Sequence, residues 1–163
     1  MFHLVPIIKV LVLLAVANGS PIAAKRIMGG RLARPLDGGI TLRDGRPLFG
    51  PSKTVRGIVA AIISTVLAAV LIGAPWTLGL VVGTISMAGD LASSFTKRRL
   101  GLAPSARATG LDQIPESLLP ALACIPLLGL TGADVVAIVL VFFAGSVILS
   151  RWLYRLGVRD QPH

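Results

Sequence analysis

Three short stretches of this chain hold most of the residues able to handle a phosphate or a metal ion. The first, "GDLASSFTKRRLG" (89–101), ends an uncharged run from Gly57 to Gly89 and then sets Asp90, Ser93, Ser94, Lys97, Arg98 and Arg99 in close succession. On a helix turning 100° per residue, Gly79, Gly83, Ser86, Asp90, Ser93, Ser94 and Lys97 share one face, and Arg99 lies opposite. A carboxylate inside an apolar segment is costly, so Asp90 is first a functional candidate. It suits a Mg²⁺ ligand, because that ion takes one or two carboxylates together with substrate phosphate oxygens. The plainer reading pairs Asp90 with Lys97 or has it cap a broken helix. Lys97 and Arg98 suit phosphate, the guanidinium being able to grip two oxygens at once. Arg99 reads as a membrane-surface anchor, and Gly79 and Gly83 permit close helix contact.

The second stretch, "RPLDGGITLRDGRPLFGPSKTVRG" (34–57), is too rich in Gly and Pro for a helix and should form turns with exposed amides. Asp37 and Asp44 stand beside turn glycines, where an Asx turn is the ordinary role. Lys53, Thr54 and Arg56 precede the next apolar block and, with Asp44 and Arg46 of "RDGR", join Ser93, Ser94 and Arg98 as the candidate phosphate-binding set. The spacing from Gly45 to Thr54 departs from a Walker A loop and lacks its parallel-sheet context. Amides with Lys and Arg still suit an anion. The third stretch, "TGLDQIPES" (109–117), places Asp112 at a helix start, where a carboxylate also serves as a cap. Asp90 and Asp112 together suit a metal-plus-phosphate centre.

The elements that must position these groups are membrane helices. The chain of 163 residues is 54% hydrophobic and only 14% charged, with a mean hydropathy of +0.83, unlike a soluble domain. Its apolar residues come in blocks, which favours helices over a membrane barrel. Five spans of roughly 17 to 25 residues are expected: 2–17, two sharing 57–89 with a break at "IGAP", one within 114–130 and one within 134–151. Gly73 suits the end of one helix and Pro75 the start of the next. The predicted fold is all-α, a polytopic bundle of about five helices forming one integral membrane catalytic domain over 1–163, with a cytoplasmic Gly/Pro-rich loop between the first two.

The net charge of +9 is confined to segments flanking the apolar blocks. Residues 25–56 hold eight Lys or Arg; Lys97, Arg98, Arg99 and Arg107 follow the third span, and Arg151, Arg155 and Arg159 the fifth, while the other two connections hold none. The positive-inside rule then puts the N-terminus outside and the site and C-terminus in the cytoplasm, in an inner or plasma membrane. A cleavable signal peptide ending at "AVA" (15–17) would export those eight basic residues, against that rule. Aromatics are too few for a nucleic-acid stacking platform, so no nucleic-acid partner is expected. Cys124 has no partner for an internal disulfide and reads as a core residue; His3 and His163 make no metal-ligand spacing. Lys9, within the first span, either faces the bundle interior or snorkels outward.

In this order and with spans between them, "DGRPLFGPSKTVRG", "GDLASSFTKRRLG" and "LDQ" resemble the CDP-archaeol synthase family, a compact relative of phosphatidate cytidylyltransferases. Asn18 and Pro21, then Pro35, Asp37 and Gly39, match its first segment too, and the resemblance covers nearly the whole chain. It implies a five-helix membrane enzyme that condenses CTP with a lipid phosphate, using Mg²⁺, to give a CDP-lipid and pyrophosphate on the cytoplasmic side. Val55 stands where the family's "KTW" element has tryptophan, and "IPESLLP" after "LDQ" also departs from its pattern. These departures bear on the lipid, archaetidate-like or phosphatidic acid.

The nucleophile of that reaction is already anionic, so the chain needs no catalytic triad. Asp90 and Asp112 are the expected Mg²⁺ ligands, with Lys97 the third catalytic candidate. Expected partners are CTP, a membrane lipid phosphate and the bilayer, with a second copy of the chain a further candidate. The alternative is a small membrane anion-binding or transport protein without catalysis. Against it, the polar residues gather at one membrane face and no polar path continues across.

Overall fold

The computed structural model describes residues 3–103, 108 and 110–155, with side chains described as far as Ser150. Arg107, Arg159 and His163, named above, lie outside the described residues. The described chain is helical, with two isolated bridges, Pro35 with Thr54 and Thr41 with Pro47, as the β-type pairings in the long loop. The helices are α1 (Leu4–Met28), α2 (Val55–Leu71), α3 (Trp76–Arg99), α4 (Gln113–Ala123), α5 (Ile125–Leu128) and α6 (Gly132–Arg155).

Three of them, α1, α3 and α6, are long and apolar enough to cross a membrane, and α2 is a shorter apolar helix. The first helix runs well past the expected end at residue 17, to Met28. The uncharged run from 57 to 89 breaks where expected. Gly73 adopts φ +64°, its amide donates to Val70 O at 3.1 Å and the Ala74 amide to Ala69 O at 2.8 Å, a glycine-closed helix end. Pro75 then stands at the N-cap of α3. The segment 114–130 differs from the single helix expected. Pro126, in the first turn of α5, cannot donate to the helical ladder, so the helix stops at Ala123 and restarts at Ile125.

The bundle closes as a ring: α1 packs on α2, α3 and α6, α2 on α3, α3 on α4, and α4 on α6. Val10, Leu13 and Leu14 of α1 meet Leu78 and Val82 of α3, Ala121 of α4 and Val135, Ile138 and Phe142 of α6 in one apolar core. The first apolar segment is therefore central to the packing. Val59, Ile63 and Leu67 of α2 and Val136, Leu140 and Val141 of α6 are exposed, the surface a bilayer would cover.

Glycines set how near the helices come. A Cβ at Gly79 would lie 2.5 Å from Thr65 O and 2.7 Å from Val66 Cα; at Gly83 it would meet the Thr65 side chain at 3.2 Å. A Cβ at Gly89 would overlap the Pro115 carbonyl. The small-residue stripe thus fits α3 to α2 over two turns and to the start of α4 below them.

The chain alternates direction, so its connections gather at two ends. At one end, Asp134, fully buried, accepts from the His3 amide at 3.1 Å, contacts His3 Nδ1 at 2.8 Å, and accepts from the amide and hydroxyl of Thr131, each at 2.8 Å. This capping box ties the starts of α1 and α6 together. Lys9 reaches the same end, donating to Gly73 O at 3.2 Å, so it snorkels to the α2–α3 turn. The opposite end holds the long loop, the end of α3 and the start of α4.

Candidate functional site

The loop from Gly29 to Thr54 is organised around Asp37. One carboxylate oxygen accepts from the Gly39 amide at 3.0 Å; the other accepts from Phe49 and Gly50 at 2.9 and 3.0 Å. Burial pushes this carboxyl up, but the amides of Gly50, Phe49 and Gly39 together outweigh it and hold it below its ordinary value. The turn expected at Asp37 is thus present, but the loop amides expected to face an external anion point at this internal one instead. Asp44 likewise accepts from the Arg46 amide at 3.2 Å. Backbone bonds from Leu36 N to Lys53 O (2.8 Å) and from Val55 N to Arg34 O (3.2 Å) then fix the segment entering α2.

That segment delivers Lys53 to Asp90. The Lys53 ammonium lies 2.6 Å from each Asp90 oxygen, and both side chains are about a quarter exposed, at 23% and 26%. Lys97, about two turns further along α3 on the same face, is buried and reaches Asp112 Oδ1 at 2.7 Å. Asp112 occupies the N-cap position of α4 without making a side-chain cap bond. Neither the Asp90–Lys97 pair nor the simple cap therefore describes these carboxylates; each instead holds a lysine from another segment.

Between them lies a residue the sequence reading passed over. Glu116 is buried, accepts from Asn18 Nδ2 at 3.0 Å, and is within electrostatic reach of Asp90, Lys53 and Asp112. Its signal was available: Asp112 and Glu116 are four apart and share one face of a helix. Arg98 is buried as well. Its Nη2 donates to Ala103 O at 2.8 Å, while Nε and Nη1 are buried without a hydrogen-bond partner among the described residues. A guanidinium with two unmet donors suits an anion.

The other candidates take different places. Ser93 and Ser94 are buried on the Asp90 side of α3, and Ser93 donates to Gly89 O at 2.9 Å. Thr54 caps α2, accepting from the Gly57 amide at 3.2 Å. Arg56 donates to the carbonyls of Gly29 (2.9 Å) and Arg31. Arg46 donates to Arg98 O at 3.4 Å and to Arg99 O. Asp44 takes Arg99 Nη1 on both oxygens, at 2.7 and 2.6 Å. Arg99 also donates to Arg46 O (3.3 Å) and Pro47 O (2.5 Å) and stacks over Phe95 at 5.2 Å. Arg99 thus makes contacts beyond those of a surface anchor, and Asp44, Arg46 and Arg56, expected to meet phosphate, make bonds that fasten the loop. Val55 is the first residue of α2 and is exposed.

The assembled centre holds three carboxylates, Asp90, Asp112 and Glu116, and three cations, Lys53, Lys97 and Arg98. Among the described residues, no group of three or more acidic, His or Cys side chains converges as a ready metal cage. The donor set fits a cation of the Mg²⁺ kind, which needs only one or two carboxylates when phosphate oxygens complete its shell.

The chain is similar to known proteins over most of its length. The CarS-like, CDP-archaeol synthase family model matches residues 1–76 and 70–163. The chain is 34% identical to the CDP-archaeol synthase of Sulfurisphaera tokodaii, over 90% of this chain and 89% of that one. It is 37% identical to that of Aeropyrum pernix, over 90% and 85%. A solved structure described as an intramembrane enzyme for archaeal membrane lipids biosynthesis superposes with a TM-score of 0.63 at 32% identity, covering 85% of this chain and 90% of the other.

Proposed function

The chain belongs to the CDP-archaeol synthase family, and on that premise we propose that it is a CTP-dependent cytidylyltransferase acting on a lipid phosphate at the cytoplasmic membrane face. The observation that carries the reading is the paired centre, in which Asp90 within α3 and Asp112 at the start of α4 are each held by a lysine, beside the two unmet donors of Arg98. An anionic oxygen of the lipid phosphate attacks the α-phosphorus of CTP. A P–O bond forms there, the bond to the bridging oxygen of the β-phosphate breaks, and pyrophosphate leaves with the electron pair. No proton has to be removed from the nucleophile, so the demand is for charge neutralisation and in-line placement.

Lys53, Lys97 and Arg98 supply positive charge for phosphates, and Asp90 and Asp112 are the carboxylates that would hold Mg²⁺. When bound, that ion offsets charge on the triphosphate. Asn18 and Glu116 support these groups from α1 and α4, and Ser93 and Ser94 keep the adjoining wall polar. The lipid tails lie against the apolar helices, which explains a site at the end of a bundle. The names of the relatives favour an isoprenoid diether phosphate over phosphatidic acid.

The test is pyrophosphate release from CTP by the purified full chain with Mg²⁺, offered either lipid phosphate. We expect release with the isoprenoid diether phosphate, lowered in Asp90→Asn by about a hundredfold or more, the scale of losing a group that stabilises transition-state charge. A folded protein releasing pyrophosphate with neither lipid would refute the reading. Release with phosphatidic acid alone would keep the chemistry and change the substrate.

A further inference from the structure

The two carboxylates best suited to a metal are not open to one. The Lys53 ammonium covers both oxygens of Asp90 at 2.6 Å, and Lys97 sits 2.7 Å from Asp112. A divalent cation would bind those oxygens at roughly 2.0–2.1 Å, inside the space each ammonium fills. The wider centre gives a bare cation little net attraction, because Asp90 and Asp112 are already paired with Lys53 and Lys97 and the buried Arg98 adds a further positive charge. Displacing either lysine strands its charge in a partly buried place unless an anion arrives to receive it. A triphosphate is such an anion, and it can approach, since Lys53 and Asp90 are about a quarter exposed.

We propose that Lys53 and Lys97 act as resident counter-ions that exclude the bare divalent cation and admit it only together with a polyphosphate. Each ammonium moves from carboxylate to phosphate as the metal–nucleotide complex enters. This rests on the cytidylyltransferase reading. It adds a selection rule: the centre takes metal and triphosphate as one unit, and neither lysine is left without an anion at any stage. Lys53 is the more accessible member, its side chain being 23% exposed against 10% for Lys97.

The test measures Mn²⁺ binding, as a paramagnetic substitute for Mg²⁺, to the full chain in uncharged detergent, alone and with CTP. Wild type should bind Mn²⁺·CTP and show no saturable uptake of Mn²⁺ alone. Lys53→Gln should gain bare-metal affinity by about tenfold, within the ordinary range of coupling between sites, while losing affinity for Mn²⁺·CTP. Lys53→Arg, which restores the charge, should exclude the bare metal again, an outcome a purely structural lysine would not produce. Equal bare-metal binding by wild type and Lys53→Gln would overturn the inference while leaving the enzyme reading standing, provided Mn²⁺·CTP still binds. Folded wild type that binds neither CTP nor Mn²⁺·CTP would remove the enzyme reading itself, and the inference with it.

Discussion

At the residue scale, each acidic side chain is defined by what reaches it. Asp37 meets backbone amides and organises a loop; Asp90 and Asp112 meet lysines and are partly exposed; Glu116 meets Asn18 and is shut in. The difference has a pH consequence at Asp37. Its carboxyl is lowered, with the amides of Gly50, Phe49 and Gly39 overriding the effect of burial, so it binds protons more weakly in the folded loop than in an open one. Its contribution is therefore present above the ordinary aspartate value of about 3.9 and is lost as pH falls through the lower folded value. Hydrogen exchange at the Phe49 and Gly50 amides, corrected for intrinsic rates, should be flat from about pH 7 to 5 and rise only below about 4. Asp37→Ala, which removes the acceptor, should accelerate those two amides about ten- to a hundredfold throughout, since a buried donor left unmet costs roughly 1–3 kcal/mol. Equal protection in the variant would show that the loop is held by something else. From sequence, Asp37 was readable as a turn residue, but its bonds to Phe49 and Gly50 come from chain folding back twelve residues later.

At the element scale, helix separation is set by three glycines on α3, and their tolerance of a side chain should differ. Gly79→Ala and Gly89→Ala each drive a methyl into neighbouring backbone, Thr65 and Val66 in one case and Pro115 and Glu116 in the other. Each should cost about 1–3 kcal/mol, as overpacking does. Gly83→Ala meets the Thr65 side chain at 3.2 Å and Ile62 Cα at 3.3 Å, looser contacts than those at Gly79 and Gly89, so it should be the mildest. Thermal unfolding in detergent ranks the three; an equal or larger loss at Gly83 would contradict this account of the packing. The stripe was legible in the sequence because helical geometry projects it from spacing alone. The break at Pro126 was less so, since hydropathy runs smoothly through 114–130 and only the missing amide interrupts the helix. Loop-to-helix pairings such as Lys53 with Asp90 and Arg99 with Asp44 have no local signature, because they join residues 37 and 55 positions apart.

At the scale of the whole molecule, the two ends of the bundle differ in chemistry, and that difference implies an orientation. One end is closed by the His3–Asp134–Thr131 clasp and the uncharged turn at Gly73. The other carries the ion-paired centre and most of the basic residues. Lys and Arg in short connections are retained on the cytoplasmic side, so the site end should face the cytoplasm, where CTP is made. The chain's single cysteine makes this simple to check, because Cys124 is fully buried and should stay silent toward a membrane-impermeant thiol reagent. Leu71→Cys, at the last residue of α2, and Ile40→Cys, in the long loop, each replace an exposed apolar residue, 86% and 57% exposed. In intact cells the reagent should label Leu71→Cys and spare Ile40→Cys, with the loop cysteine reacting only after the membrane is opened. Labelling of Ile40→Cys in intact cells would invert the bundle. It would place the centre on the side away from its nucleotide, and the charge asymmetry could then no longer be read as topology. The clasp should be indifferent to the choice of reagent side, since Asp134 is enclosed by α1 and α6 and its role is to hold the two helix starts together.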